Sequence, residues 1–270
     1  MVNTIIITFT FINNLNLKMK KLLFIIFLSA FSLFSQSTAG SRTIHESHYI
    51  VDMPTAGILH KNKINVEAEA FDRGGLLLGF KYSPVSRLST GLNFGGSRII
   101  GNDEVKWQNL PGIYIAFRAL NERTWLPAFT LGFDTQGKGG FSMNEKRFEF
   151  MSPGAYLAIS KSFVWDIGYL AFHGGINYSL EPDPDDRGIN YWIGLEQSVS
   201  EYGSIMFEYN PSLTEEDSPY TNEKGFLNLS YRYSIHQGVT FELKLRDLLK
   251  NIEGSNNFKR IFKVEVIRSF

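Results

Sequence analysis

From residue 62 onward the chain alternates apolar and polar residues with almost no competing helical period, the signature of strands that lie between two different environments. Ile64, Val66, Ala68 and Ala70 alternate with Asn65, Glu67 and Glu69. Similar sets run from Leu76 to Tyr82, Leu88 to Phe94, Ile113 to Phe117, Phe129 to Phe133, Ala155 to Ile159, and Leu170 to Tyr178. Five more run from Ile189 to Leu195, Ile205 to Tyr209, Leu227 to Tyr233, Val239 to Leu245, and Phe262 to Phe270. About twelve strands are expected, an even number as single-chain bacterial membrane barrels require.

The connections carry independent information. Those near 83–87, 120–125, 161–166, 199–203 and 234–238 are tight. Those near 97–110, 134–151, 180–188, 211–224 and 247–258 are long and rich in Gly, Asn, Asp, Glu and Pro, with the turn at 72–75 the one short exception. An outer-membrane barrel has short periplasmic turns and longer outer loops, so this alternation predicts both termini in the periplasm. Ser160, Ser198 and Ser234 recur at equivalent points near short turns, at about the spacing of one up-and-down hairpin. The fold class expected is all-β: a closed antiparallel up-and-down transmembrane barrel over 62–270.

Parity then assigns the faces. The polar parity carries Glu67, Glu69, Lys81, Arg118, His173, Glu196, Glu208, Arg232, Glu242, Lys244, Arg246, Lys263 and Glu265, among many glycines and alanines. In a soluble barrel these would point outward; in a membrane barrel they line the lumen. Three features favour the lumen: aromatic residues on the apolar parity near strand ends, an export signal, and a final aromatic. Met19-Lys20-Lys21 followed by the apolar run Leu22 to Leu28, and then by small and polar residues to Ala39, reads as a signal peptide. Residues 1–39 are therefore expected to be a leader with its true start at Met19, and 40–61 a periplasmic N-terminal segment. The apolar run is too short for a spanning helix, which needs roughly 20 residues. Phe270, on the apolar parity of the last strand, is expected to act as the signal that the outer-membrane assembly machinery recognises.

Composition narrows the classes further. Lys and Arg number 27 against 27 for Asp and Glu, and removing Lys18, Lys20 and Lys21 with the leader leaves 24 against 27. That balance offers no basic surface for nucleic acid. The absence of cysteine excludes disulfides, thiol catalysis and a lipoprotein acceptor. Aromatics make up 14% of the chain, and the 24 glycines suit crowded strands with aromatic girdles at the membrane interfaces.

Of the five histidines, His45, His48 and His60 precede the first strand, His236 falls in a short turn, and only His173 lies within a strand. With Ser179 and Asn177 on the same face, His173 could compose a hydrolytic site acting on lipid, yet its parity turns it away from the bilayer. A hydrogen-bonded lumen histidine is the plainer reading. The lumen charges read either as a polar constriction that filters solutes or as a self-neutralising network, and the balance of signs favours the network. Glu181-Pro182-Asp183-Pro184-Asp185-Asp186 lacks the spacing of a calcium loop and reads as a solvated acidic tip. Gly137-Lys138-Gly139-Gly140 lacks the frame of a phosphate loop and reads as a flexible stretch. No cofactor or metal site is expected.

The stretches Val51 to Leu59, Gly132 to Gly137, Gly174 to Ser179 and Leu245 to Asn251 together resemble a family of bacterial outer-membrane barrels related to the YjbH-type proteins, over residues 50–270. The resemblance implies a link to exopolysaccharide production or export and brings no catalytic residues. The function expected is a non-enzymatic outer-membrane channel or scaffold whose partners are outer-membrane lipid, the assembly machinery and a polysaccharide. The alternative is a lipid-modifying hydrolase or acyltransferase.

Overall fold

The structure, a computed structural model, describes residues 46–166, 168–181, 187–215, 221–235, 238–255 and 257–269. The leader and Phe270, the expected assembly signal, lie outside the described residues. The described strands are β1 (Lys63–Phe71), β2 (Gly75–Val85), β3 (Leu88–Ser97), β4 (Lys106–Trp107), β5 (Gly112–Leu120), β6 (Ala128–Asp134), β7 (Lys138–Ser142) and β8 (Arg147–Phe150). After them come β9 (Gly154–Trp165), β10 (Gly168–Tyr178), β11 (Asn190–Ser198), β12 (Gly203–Asn210), β13 (Phe226–Ile235), β14 (Val239–Arg246) and β15 (Lys259–Ser269).

Twelve of them, all but β4, β7 and β8, join neighbour to neighbour in chain order, and β1 pairs with β15 to close the ring. Every pairing is antiparallel, and the seam runs in unbroken register from Lys63 opposite Ser269 to Ala70 opposite Phe262. Each barrel strand coincides with one of the alternating sets. Closure leaves no free sheet edge, which a strand in hydrocarbon could not tolerate.

Alternation divides the two faces. Leu78, Phe80, Leu92, Ile115, Phe207 and Leu243 point outward and are exposed, Leu78 to 53% and Leu243 to 57%. Their neighbours of opposite parity, such as Asn65, Glu67, Lys81, Glu196 and Lys244, are buried. An apolar exterior around a polar interior is the inversion that defines a transmembrane barrel.

The region before β1 departs from expectation. Residues 46–59, expected to belong to a periplasmic segment, instead lie inside the barrel as a hairpin. Tyr49 and Pro54 pair across it, and Ile50 N–H donates to the Met53 carbonyl at 2.9 Å. Every residue from His48 to Leu59 is buried. The tip, Val51 to Met53, reaches Glu208, Asn228 and Arg246 near the long-loop end. The returning arm passes Ser160 and meets Ser89, close to the short β2–β3 turn, before β1 begins. Both arms therefore enter from the short-turn end.

Twelve strands explain the space. An eight-stranded barrel has an interior about wide enough for side chains alone, and diameter grows with strand number. Wall glycines widen it locally: a Cβ on Gly194 would lie 2.5 Å from Ile50 Cδ1. Ile50, Val51 and Met53 pack there against Tyr156, Ala158, Trp192 and Met206, a small apolar core within a polar lumen.

At the other end the β6–β9 connection folds over the mouth. It holds the β7–β8 hairpin, so Lys138 to Gly140, read as flexible, begin a strand. Phe150 packs edge-on against Phe226 and under the Arg246 guanidinium. Glu181 is not a solvated tip: its carboxylate accepts from Phe148 N–H at 2.8 Å and Ser152 N–H at 2.6 Å, pinning this cover. Residues 182–186 of the acidic run lie outside the described residues.

Candidate functional site: the filled lumen

All thirteen lumen candidates face the interior, and each but Glu265, which is half-buried, is buried. Paired strands bring them into clusters. Glu67 contacts Lys81 at 3.2 Å and Lys263 at 2.7 Å, and Lys263 also reaches Glu265 at 3.3 Å. Glu69 bridges Lys244 at 2.9 Å and Arg246 at 3.1 Å, while Arg232 pairs with Glu242 at 3.2 Å. Such pairs are retained where breaking one would strand a buried charge.

Much of this network is directed at the hairpin. Asp52 accepts two hydrogen bonds from Arg246, Nε at 2.5 Å and Nη2 at 2.7 Å, with Lys244 Nζ 3.8 Å away. Glu46 pairs with Arg118, whose Nε donates to the Ala56 carbonyl at 2.8 Å. Thr130 donates to the same carbonyl at 2.7 Å, and Trp192 Nε1 donates to the Pro54 carbonyl at 3.0 Å. Lys244 Nζ donates to the Val51 carbonyl at 2.9 Å.

Glu208 differs from its neighbours: among the described residues no cation pairs with it. One carboxylate oxygen instead accepts three consecutive backbone N–H groups, from Val51, Asp52 and Met53, at 2.9, 2.9 and 2.8 Å. Successive amides turned to one point form an anion-binding nest, and here the anion belongs to the wall. Tyr49 adds a further anchor: its hydroxyl donates to Asp134 at 2.7 Å while the ammonium groups of Lys81 and Lys138 lie 4.5 and 4.9 Å from its ring centre.

His173 does not assemble with Ser179. Its Nδ1 lies 2.8 Å from Ser160 Oγ, and its Nε2 lies 3.6 Å from Glu196. The order of groups is that of a hydrolytic triad, but Ser160 Oγ accepts Ala56 N–H at 2.9 Å and Glu196 accepts Ser47 Oγ at 3.2 Å. The three side chains thus clasp both arms of the hairpin, on the face away from lipid. Asn177 and Ser179 serve the mouth, where Asn177 Nδ2 donates to the Pro153 carbonyl at 2.9 Å. His48 lies in the hairpin and His60 at its foot, while His45 and His236 lie outside the described residues.

Above the tip a cavity of about 40 Å³ lies among Asp52, Asn177, Asn190, Glu208, Asn228 and Phe150. It has room for a few waters and no solute. The lumen is filled from below by the hairpin and covered from above by the β6–β9 connection.

No family model matches the chain, and no curated protein matches it. Among solved structures it is similar to the KdgM porin, at a TM-score of 0.43 and 10% identity over 77% of this chain and 99% of that one. It is similar to the NanC porin, at a TM-score of 0.41 and 10% identity over the same shares. Likeness at this level concerns barrel architecture, so the functional reading rests on the residues of the lumen itself.

Proposed function

We propose that this chain is a non-enzymatic barrel of the bacterial outer membrane, a conduit held shut by its hairpin 46–59, serving exopolysaccharide production or export. The observation that carries the reading is that the lumen is wide enough to hold a folded chain segment, and that the segment is held largely by polar contacts. Vacated, the wall would present mainly charged and polar groups, interrupted by the patch of Tyr156, Ala158, Trp192 and Met206, a largely polar lining of the kind found in water-filled barrels. The resemblance to YjbH-type proteins supplies the polysaccharide link. The Ser160–His173–Glu196 order supports hydrolysis less well, because the hairpin occupies the serine and the group faces away from lipid.

The chain has no cysteine, so an introduced cysteine pair is a clean lock. Asn210 Nδ2 lies 3.6 Å from Met53 Sδ, so cysteines introduced as Met53→Cys with Asn210→Cys would lie within reach of a short bis-methanethiosulfonate linker, which joins them through two disulfides that reductant removes. In planar bilayers the reduced, unlinked protein should pass bursts of current and the linked protein none. Silence in both states, and in a variant lacking 46–59, would leave a sealed scaffold. Deleting the gene should lower secreted polysaccharide; unchanged secretion sinks that link.

A further inference from the structure

We infer that the corner of the lumen formed by Arg246, Lys244, Asn228 and Glu208 is a binding site for a small solute carrying a carboxylate beside hydrogen-bond donors, occupied in this structure by the protein's own hairpin tip. The inference deepens the conduit reading by naming what would displace the stopper.

Asp52 takes a place at Arg246 that the wall leaves open. Arg246 and Lys244 are buried and share one wall carboxylate, Glu69. Asp52 supplies the second negative charge, through the two-pronged geometry that guanidinium groups use to recognise carboxylates. Without the hairpin, Lys244 and Arg246 would share Glu69 as the wall carboxylate bound to both, and the two Arg246 nitrogens that now meet Asp52 would be open to another carboxylate; Glu208, the other wall carboxylate of the corner, pairs with neither cation.

The donor-accepting and acid-binding groups lie side by side. Asn228 Nδ2 donates to Glu208 at 2.8 Å and lies 3.4 Å from Asp52, so the acceptor Glu208 and the cation Arg246 flank one amide. The tip satisfies both at once, with three N–H donors on Glu208 and one carboxylate on Arg246. A hydroxylated acid presents the same two features. The site also lies directly beneath the small cavity at the mouth, on the side from which an external solute would arrive.

A tethered group competes at an effective concentration on the order of millimolar, so the intact protein should bind such a solute weakly. The probe is gluconate, with sorbitol as the uncharged analogue, titrated calorimetrically into the detergent-solubilised full chain. Asp52→Ala, which removes the internal carboxylate, should bind gluconate at least tenfold more tightly than the unaltered protein and leave sorbitol unbound. In the Met53→Cys/Asn210→Cys protein, joining the two cysteines with the linker should weaken gluconate binding at least tenfold and reduction should restore it, a comparison that does not depend on Asp52→Ala folding. Equal gluconate affinity with and without Asp52, equal binding of sorbitol, or indifference to the lock overturns the inference. Binding is read without current, so a barrel that takes gluconate but never conducts keeps the site and loses the conduit.

Discussion

At the scale of single residues, the wall recognises a peptide backbone with side chains, and Glu208 shows the cost of that arrangement. A buried carboxylate without a cationic partner is unfavourable unless donors surround it, and the three amides of Val51, Asp52 and Met53 do so. Truncating Glu208 to Ala leaves those amides without their acceptor, and water from the adjoining cavity replaces it only in part. The hairpin should lose about 3 kcal/mol of docking stability, seen as exchange on the order of a hundredfold faster at these three amides. Glu208→Gln should lose less, because one acceptor oxygen survives; unchanged exchange in both variants would mean the nest does not hold the tip. The position of Glu208 was readable from parity, but its role was not, since its partners sit 155 to 157 residues away in a segment without strand periodicity.

At the scale of elements, legibility follows solvent. The barrel strands were readable because each lies between hydrocarbon and a polar interior, which enforces a period of two. The hairpin touches protein on all sides, so no period was imposed, and Tyr49-Ile50-Val51 gave only one clue: a solvated periplasmic tail has no reason to be so apolar. The β7–β8 hairpin was hidden for a similar reason, its glycines resembling a flexible loop. That cover has its own switch in Glu181, in the long loop after β10. Burial raises the Glu181 carboxyl above its ordinary value, against the pull of the Ser152 and Phe148 hydrogen bonds. A raised folded value means that its contribution to docking is present below the ordinary carboxylate range and is lost as pH rises through the folded value. Protection of the Phe148 amide, its exchange taken relative to the base-catalysed rate of a free amide, should therefore fall over that rise in the native protein and stay constant in Glu181→Gln; a parallel fall in both would assign the effect elsewhere.

At the scale of the whole molecule, the belt of outward apolar residues sets where the bilayer grips. Phe80 lies midway along β2, and Val85 at its short-turn end. Phe80→Arg should cost about 2 to 4 kcal/mol and Val85→Arg about 0 to 1, because the penalty for an outward charge falls from midplane to interface. Reversible unfolding in lipid vesicles measures both, and equal costs would place the bilayer differently. The belt was legible in the sequence as soon as one parity was chosen. The filling was not, because parity says which residues face inward and nothing about what they meet there.

The seam has a consequence for assembly. The hairpin directly precedes β1, and β1 is the strand that meets β15. The step that joins the two edges therefore also fixes the foot of the hairpin at the rim of the lumen that it fills. Each cylinder thus carries its own stopper in a ratio of one to one, and a tip that leaves the lumen stays anchored at the rim, never more than a hairpin's length from its seat.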